Sequence, residues 1–311
     1  MSDSVPSPRA ILIAGPTASG KSALALAMAA RIGGAVVNAD SMQAYRDLRV
    51  ITARPTPEEE ASHPHFLFGH VDAGVNYSVG RYLEDLRAVL RDIAARGLTP
   101  VVTGGTGMYF KAALYGLSDI PAVPEEVRAQ VREAAQGKSP QELHAELAKK
   151  DPNTAAKLRP TDPQRITRAL EVFAATGRPL MSFQGTRGAP LLVPAQCQAF
   201  FLAPERETLY ERIDARFDRM METGALDEAA ALRERGLDPA LPAMRAHGVP
   251  HLIAFLEGRM SRDEAIMRGK RDTRHYAKRQ FTFARHQLPG FRWLSGAETW
   301  AALEAACVSR E

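Results

Sequence analysis

Apolar residues in this chain gather in short runs: AILIA at Ala10–Ala14, AVVN at Ala35–Asn38, PVVT at Pro100–Thr103, QAFFL at Gln198–Leu202 and FRWL at Phe291–Leu294. Runs this short, bounded by polar or glycine-rich turns, predict strands. Between them lie mostly helical stretches, beginning with KSALALAMAARI after the first run, a strong helix former. Strands alternating with helices predict an α/β fold, a parallel sheet with helices on both faces. Ligands in such sheets bind beyond the C-terminal strand ends. Chemistry is therefore expected in the segments Gly15–Ser22, Asp40–Gln43 and Gly104–Tyr109.

One long stretch breaks the alternation. In SPQELHAEL, Ser139 reads as an N-cap, Pro140 opens the helix and Glu142 closes a capping box. TDPQRITRALEVFAATG repeats the scheme with Asp162 and Pro163 and stops at Gly177. The segment from Leu117 to Pro194 is too long for a simple crossover. It predicts a mainly helical lobe, residues 117–194, inserted into a core made of 9–116 and 195–300.

The first segment has its own chemistry. GPTASGKS, Gly15 to Ser22, matches the G-x-x-x-x-G-K-[ST] pattern, so the sheet is expected to be of the P-loop type. Backbone N–H groups of Gly15, Pro16, Thr17, Ala18, Ser19 and Gly20 (proline excepted) would curl around an anion at a helix N-terminus. Lys21 adds a point charge, and Ser22 offers a hydroxyl to Mg²⁺. A di- or triphosphate ligand follows, but not its owner, and a nucleotide kinase shares the pattern. Against a nucleotide hydrolase, the third apolar run ends in Thr103 rather than an acid. Asp40, Ser41 and Gln43 end the second run, where Asp40 reads either as an N-cap or as a group serving the phosphate site. In VVTGGTGMY the glycines let backbone approach a ligand, with Thr103 and Thr106 as hydroxyl donors.

Composition changes this picture little. The 311 residues are 45% apolar and 24% charged, as in an ordinary globular protein with one large core or a core plus a smaller domain. The short polar N-terminus and the lack of a long uncharged apolar run lead us to expect a cytoplasmic enzyme with no membrane partner. Cys197 and Cys307 are too few for a metal or disulfide framework. His63, His65 and His70 have a spacing that could hold a metal, but no Cys or carboxylate pattern joins them, so surface histidines are expected.

Charge is informative by its distribution. The formal net charge is only +4, yet Arg268 to Gln287 carries Arg268, Lys270, Arg271, Arg274, Lys278, Arg279 and Arg285 against Asp272 alone. On a helix, Tyr276, Arg279, Phe283 and His286 fall near one face. Such a segment suits a polyanion such as RNA, or a solvated helix whose aromatics are core.

Taken together and in order, GPTASGKS, NADSMQ, GGTGMY, DPQRITRALEV, RIDARFDRMMETGALDEA and TRHYAKRQFTFARHQ resemble the tRNA isopentenyltransferase family, from about Ala10 to Gln287. One departure stands out: where the family often shows an IGYRQ-like turn, this chain has AHGVPHL at Ala246–Leu252. The resemblance implies transfer of a dimethylallyl group from dimethylallyl diphosphate to N6 of adenosine 37 in tRNA. By it, Thr17 hydrogen-bonds the bridging oxygen, Arg216 contacts the diphosphate, Asp40 is the general base and Thr106 completes the catalytic set. Asp40, Ser41, Met42, Gln43 and Thr106 would meet the extruded adenine, with Arg128 and Gln164, Arg165, Ile166, Thr167 and Arg168 on the tRNA. The implied cofactor is Mg²⁺ near Ser22. A monomer is expected, since a large tRNA must reach the site.

Overall fold

The structure, a computed structural model, describes residues 9–296 except 184 and 186, together with 301–303. Six strands form one sheet: β1 (Ala10–Ala14), β2 (Gly34–Asn38), β3 (His65–Phe66), β4 (Thr99–Gly104), β5 (Cys197–Leu202) and β6 (Arg292–Leu294). Their order is β3-β2-β4-β1-β5-β6, and every neighbouring pair is parallel. In register, Ile13 of β1 sits between Thr103 of β4 and Phe200 of β5. β1 and β2 are buried along their whole length, and β4 from Pro100 onward, so their apolar runs are continuous rather than alternating. Ile11, Ile13, Met28, Val36, Val101, Phe200, Leu202 and Leu294 form one core cluster.

The apolar runs mark five strands to within about a residue or two, but they do not mark β3. It has only two residues, paired to Val36 and Val37, and lies in SHPHFLFGH among histidines and behind Pro64. So short a strand shows no alternation for a pattern to detect. The histidines there are individually engaged: His65 Nδ1 lies 2.9 Å from the His63 carbonyl, and His70 Nε2 lies 3.2 Å from both Tyr77 Oη and Asp85 Oδ2. Among the described residues no cluster of His, Cys, Asp or Glu could hold a metal ion. Cys197 lies in β5, where burial pushes its thiol up to about 11; Cys307 lies outside the described residues. No described helix is long and apolar enough to cross a membrane.

The chain divides into two compact units. One comprises the described parts of Met1–Leu114 and Pro190–Glu311, with the sheet; the other is Tyr115–Ala189. In the second unit, helices Glu125–Ala135, Pro140–Lys150 and Pro163–Thr176 enclose Leu143, Leu147, Ala155, Ile166, Ala169 and Leu170. The capping box at Ser139 and Glu142 is formed, and Asp162 accepts from Arg165 N at 3.2 Å.

In the first unit the 26-residue helix Arg262–Gln287 half-buries Tyr276, Phe281 and Phe283, but its innermost line is made by other residues. Its buried line is Ala265, Gly269, Thr273, Ala277, Gln280 and Ala284, with the aromatics flanking it. Small residues win that line because neighbours come close: a Cβ on Gly269 would lie 2.3 Å from Phe217 Cζ of helix Arg206–Glu222.

Candidate functional site

The site grows from the C-terminal ends of three adjacent strands, β2, β4 and β1. After β1 the backbone curls through Ala18 (φ +63°) and Gly20 (φ +87°) before helix Lys21–Ile32 begins. Gly20 is the N-cap and has no side chain to satisfy the first-turn N–H groups, which suits an anion there. Gly15 must lack a side chain, since a Cβ would meet Ser19 Oγ at 2.9 Å and Leu202 at 3.2 Å. Ser19 Oγ is itself buried without a hydrogen-bond partner. Lys21 is 8% exposed and donates to the Pro16 carbonyl at 3.2 Å. Burial pushes its ammonium down to about 8, opposed by the Asp40 charge and reinforced by Arg216. Ser22, next along, is exposed.

Asp40 follows β2 and does not cap a helix. Its Oδ1 accepts from Met42 N at 3.0 Å, and its own N–H donates to Asn38 Oδ1 at 2.7 Å. Asn38 is buried and donates to the carbonyls of Asp40 and Leu67, both at 2.9 Å, so the turn is held from two sides. Oδ2 makes no hydrogen bond among the described residues.

The second and third segments are stitched together. Thr106 N donates to the Ala39 carbonyl at 3.1 Å, and Thr106 Oγ1 accepts from Ser41 N at 2.9 Å and lies 3.2 Å from Ser41 Oγ. This closeness requires Gly104: a Cβ there would sit 2.1 Å from the Ala39 carbonyl carbon. Gln43 gives both N–H groups to backbone, to the carbonyls of Thr52 (3.0 Å) and Ala53 (2.9 Å). Only its Oε1, an acceptor, is left for a ligand.

Residues far along the chain complete the site. Arg216 Nη2 donates to Thr17 Oγ1. Burial lowers the Arg216 guanidinium to about 10, with Asp40 opposing. Gln280 joins two of the three segments, accepting from Thr17 N at 3.0 Å and donating to the Gly105 carbonyl at 2.9 Å. A pocket of about 50 Å³ opens between these groups. Its lining combines polar groups, Thr17, Asp40 and Arg216 among them, with apolar Met42, Ile51, Ile213, Phe217 and Met220. His247, from the AHGVPHL turn, lines it as well and packs its ring 4.6 Å from that of Tyr276. Burial first, then Arg279, lower the His247 pKa, so the ring is neutral at neutral pH.

Thus Thr17, Lys21, Asp40, Ser41, Met42, Thr106 and Arg216 come together in the first unit. In the second unit, Gln164 and Arg165 are exposed, whereas Thr167 and Arg168 are half-buried. Arg165 pairs with Asp162 at 3.3 Å, Arg168 with Glu171 at 3.6 Å and Arg128 with Glu125 at 3.2 Å. Ile166 requires a correction: it is 0% exposed in that unit's core, so its side chain serves packing rather than tRNA. Its apolar character at helical spacing from Ala169 and Leu170 is the signal for that burial. Sequence patterns do not single out Gln280 or His247 as site residues. Gln280 lies in a segment conspicuous for its charges and aromatics, and His247 in one conspicuous for departing from a pattern.

The family model for IPP transferase matches residues 43–287, and that for isopentenyl transferase matches 8–69. A tRNA dimethylallyltransferase of Methylocella silvestris is 61% identical over 94% of this chain and 96% of its own length. One of Rhodopseudomonas palustris is 58% identical over 97% and 94%. Among solved structures, a tRNA isopentenylpyrophosphate transferase from Staphylococcus epidermidis superposes with TM-score 0.68 at 29% identity, covering 97% of this chain and 98% of that one. A eukaryotic dimethylallyltransferase acting on tRNA gives TM-score 0.79 at 28% identity, covering 97% and 79%.

Proposed function

The chain belongs to the IPP transferase family, and from that premise we propose that it is a tRNA dimethylallyltransferase. It transfers a dimethylallyl group from dimethylallyl diphosphate to N6 of adenosine 37, releasing pyrophosphate. The observation that carries this reading is the pocket lining, which combines Arg216, Thr17 and Asp40 with the apolar side chains of Met42, Ile51, Ile213, Phe217 and Met220. A prenyl diphosphate carries both an anionic head for Arg216 and a purely hydrocarbon tail for those apolar side chains, and a nucleoside triphosphate has no such tail.

In the reaction, the diphosphate lies against the backbone N–H groups of Ala18, Gly20, Lys21 and Ser22, since Gln280 holds Thr17 N, with the Lys21 and Arg216 side chains taking up charge as it departs. For a leaving group that gains so much negative charge, preorganised cations and N–H donors lower the barrier more than any other device. Thr17 Oγ1, oriented by Arg216, donates to the oxygen bridging carbon and phosphorus. Adenine N6 is a weak nucleophile because its lone pair is delocalised into the ring. Asp40 Oδ2 removes its proton as the N–C bond forms, while the C–O bond to the diphosphate breaks. Gln43 Oε1 accepts the second N6–H, and Ser41, Met42 and Thr106 line the base's path. The base reaches them by leaving the stacked anticodon loop.

Mg²⁺ fits this donor set only as an ion held mainly by diphosphate and water, because Ser22 is an exposed hydroxyl with no carboxylate cluster around it among the described residues. Bound there, it would neutralise charge on the diphosphate. Arg128, Gln164, Arg165 and Arg168 supply tRNA contacts. The enzyme acts as a monomer in the cytoplasm, where its tRNA substrate is found.

The test is incubation with labelled dimethylallyl diphosphate, Mg²⁺ and unmodified tRNA, then nucleoside mass spectrometry. Prenylated adenosine formed without ATP supports the proposal. ATP turnover with no adduct would return the site to the kinases.

A further inference from the structure

A carboxylate that does not line the pocket holds the backbone of a turn that does. Glu228 lies in the first turn of helix Ala225–Glu234, where the helix dipole favours negative charge. It accepts from three consecutive backbone amides: Arg49 N at 2.8 Å and Val50 N at 2.6 Å on Oε1, and Ile51 N at 2.9 Å on Oε2. Those amides open a tight turn, closed by Ala53 N to the Val50 carbonyl at 3.0 Å and Arg54 N to the Arg49 carbonyl at 2.9 Å. Ala53 takes φ +50°, a conformation a non-glycine residue holds only when its surroundings impose it. The same turn places Ile51 and Thr52 on the pocket wall and presents the Thr52 and Ala53 carbonyls to Gln43 Nε2.

We propose that Glu228 is a positioning residue for base selection: by fixing the 49–53 turn it locks the Gln43 amide so that only the Oε1 acceptor meets the base. An exocyclic amine donates to that oxygen, as adenine N6 does, whereas the keto oxygen of hypoxanthine or guanine repels it. Glu228 thus sets selectivity for a 6-amino purine without touching substrate. This deepens the tRNA dimethylallyltransferase reading and rests on it.

Two measurements on the full chain test it. In the free protein, the side-chain amide protons of Gln43, identified by their loss in Gln43→Glu, should exchange slowly with solvent. Glu228→Gln, which puts an N–H donor against backbone donors, should speed that exchange at least about tenfold, and Glu228→Asp should fall between. In binding competition, an anticodon stem-loop with adenosine at position 37 should outcompete its inosine counterpart by about tenfold or more. Glu228→Gln should bring that ratio to within about twofold and lower kcat, with KM for tRNA nearly unchanged. A merely structural Glu228 would lower Tm but leave ratio and kcat intact well below the transition. Unchanged exchange in both variants overturns the proposal, as does an unchanged ratio. If the wild-type chain prenylates no tRNA, the transferase reading fails instead, and the exchange experiment still reports on the Glu228 lock.

Discussion

At the scale of single residues, Asp40 and Lys21 are the most open to test. Asp40 has one oxygen tied into its own turn and the other uncommitted, the arrangement a general base needs. Asp40→Ala should lower turnover about 10²- to 10⁴-fold while leaving tRNA affinity nearly unchanged, measured by single-turnover kinetics beside a binding assay. Lys21 gives a pH dependence. Its free-protein pKa is pushed down to about 8 by burial, so it is charged at neutral pH and loses its proton as pH rises through about 8. A bound diphosphate favours the charged form and raises that pKa. Affinity for dimethylallyl diphosphate should therefore be full below about pH 7 and weaken progressively above about pH 8. In Lys21→Met the affinity should be low at every pH, and a surviving slope would assign the titration to another group. Residue types are legible here because the phosphate pattern and the NADSMQ segment are local. Ile166 misleads for the opposite reason: its place in a tRNA-associated motif says nothing about which way a helical side chain faces.

At the scale of elements, the glycine-rich segment after β4 and the C-terminal helix constrain each other. Gly104→Ala puts a Cβ against backbone at Ala39, which cannot swing aside as a side chain can. It should destabilise by at least about 1–3 kcal/mol, read as a lower urea midpoint at unchanged m-value. Gly105→Ala meets the end of the Gln280 side chain at 2.1 Å, which can move. That variant should keep most of its stability yet lose turnover, because Gln280 gives up its hold on Thr17 N. Gln280→Ala should reproduce the loss, and normal turnover in both would remove Gln280 from the site. Caps and helix stops are readable at this scale, as Ser139, Glu142, Asp162 and Gly177 show, because they act within one turn. The buried line of helix Arg262–Gln287 is not readable. Aromatic and basic residues announce themselves in a sequence, whereas alanine, glycine and threonine face inward only because Phe217 and its neighbours come close.

At the scale of the whole molecule, tRNA binding should be electrostatic and steeply salt-dependent. Arg165 is mostly exposed, in a surface pair worth little, so it can exchange Asp162 for a phosphate at small cost. Arg165→Ala should weaken binding across tRNA sequences and reduce the slope of log affinity against log salt by about one. An unaltered slope would place that arginine off the RNA. Sequence by itself determined the α/β alternation, the glycine-rich turn after β1 and the three segments that follow the strand ends, because periodicity, capping and turn chemistry operate over a few residues. Tertiary structure decided which distant groups meet, including Gln280 and Glu228, which no sequence pattern singles out, and Arg216, which only the family resemblance names. Arg216 reaches Thr17 across 199 positions, Gln280 reaches it across 263, and Glu228 grips Val50 across 178. Such contacts have no period and no local signature; they exist only once strands, turns and helices have packed, when each group's partner is fixed by proximity in space.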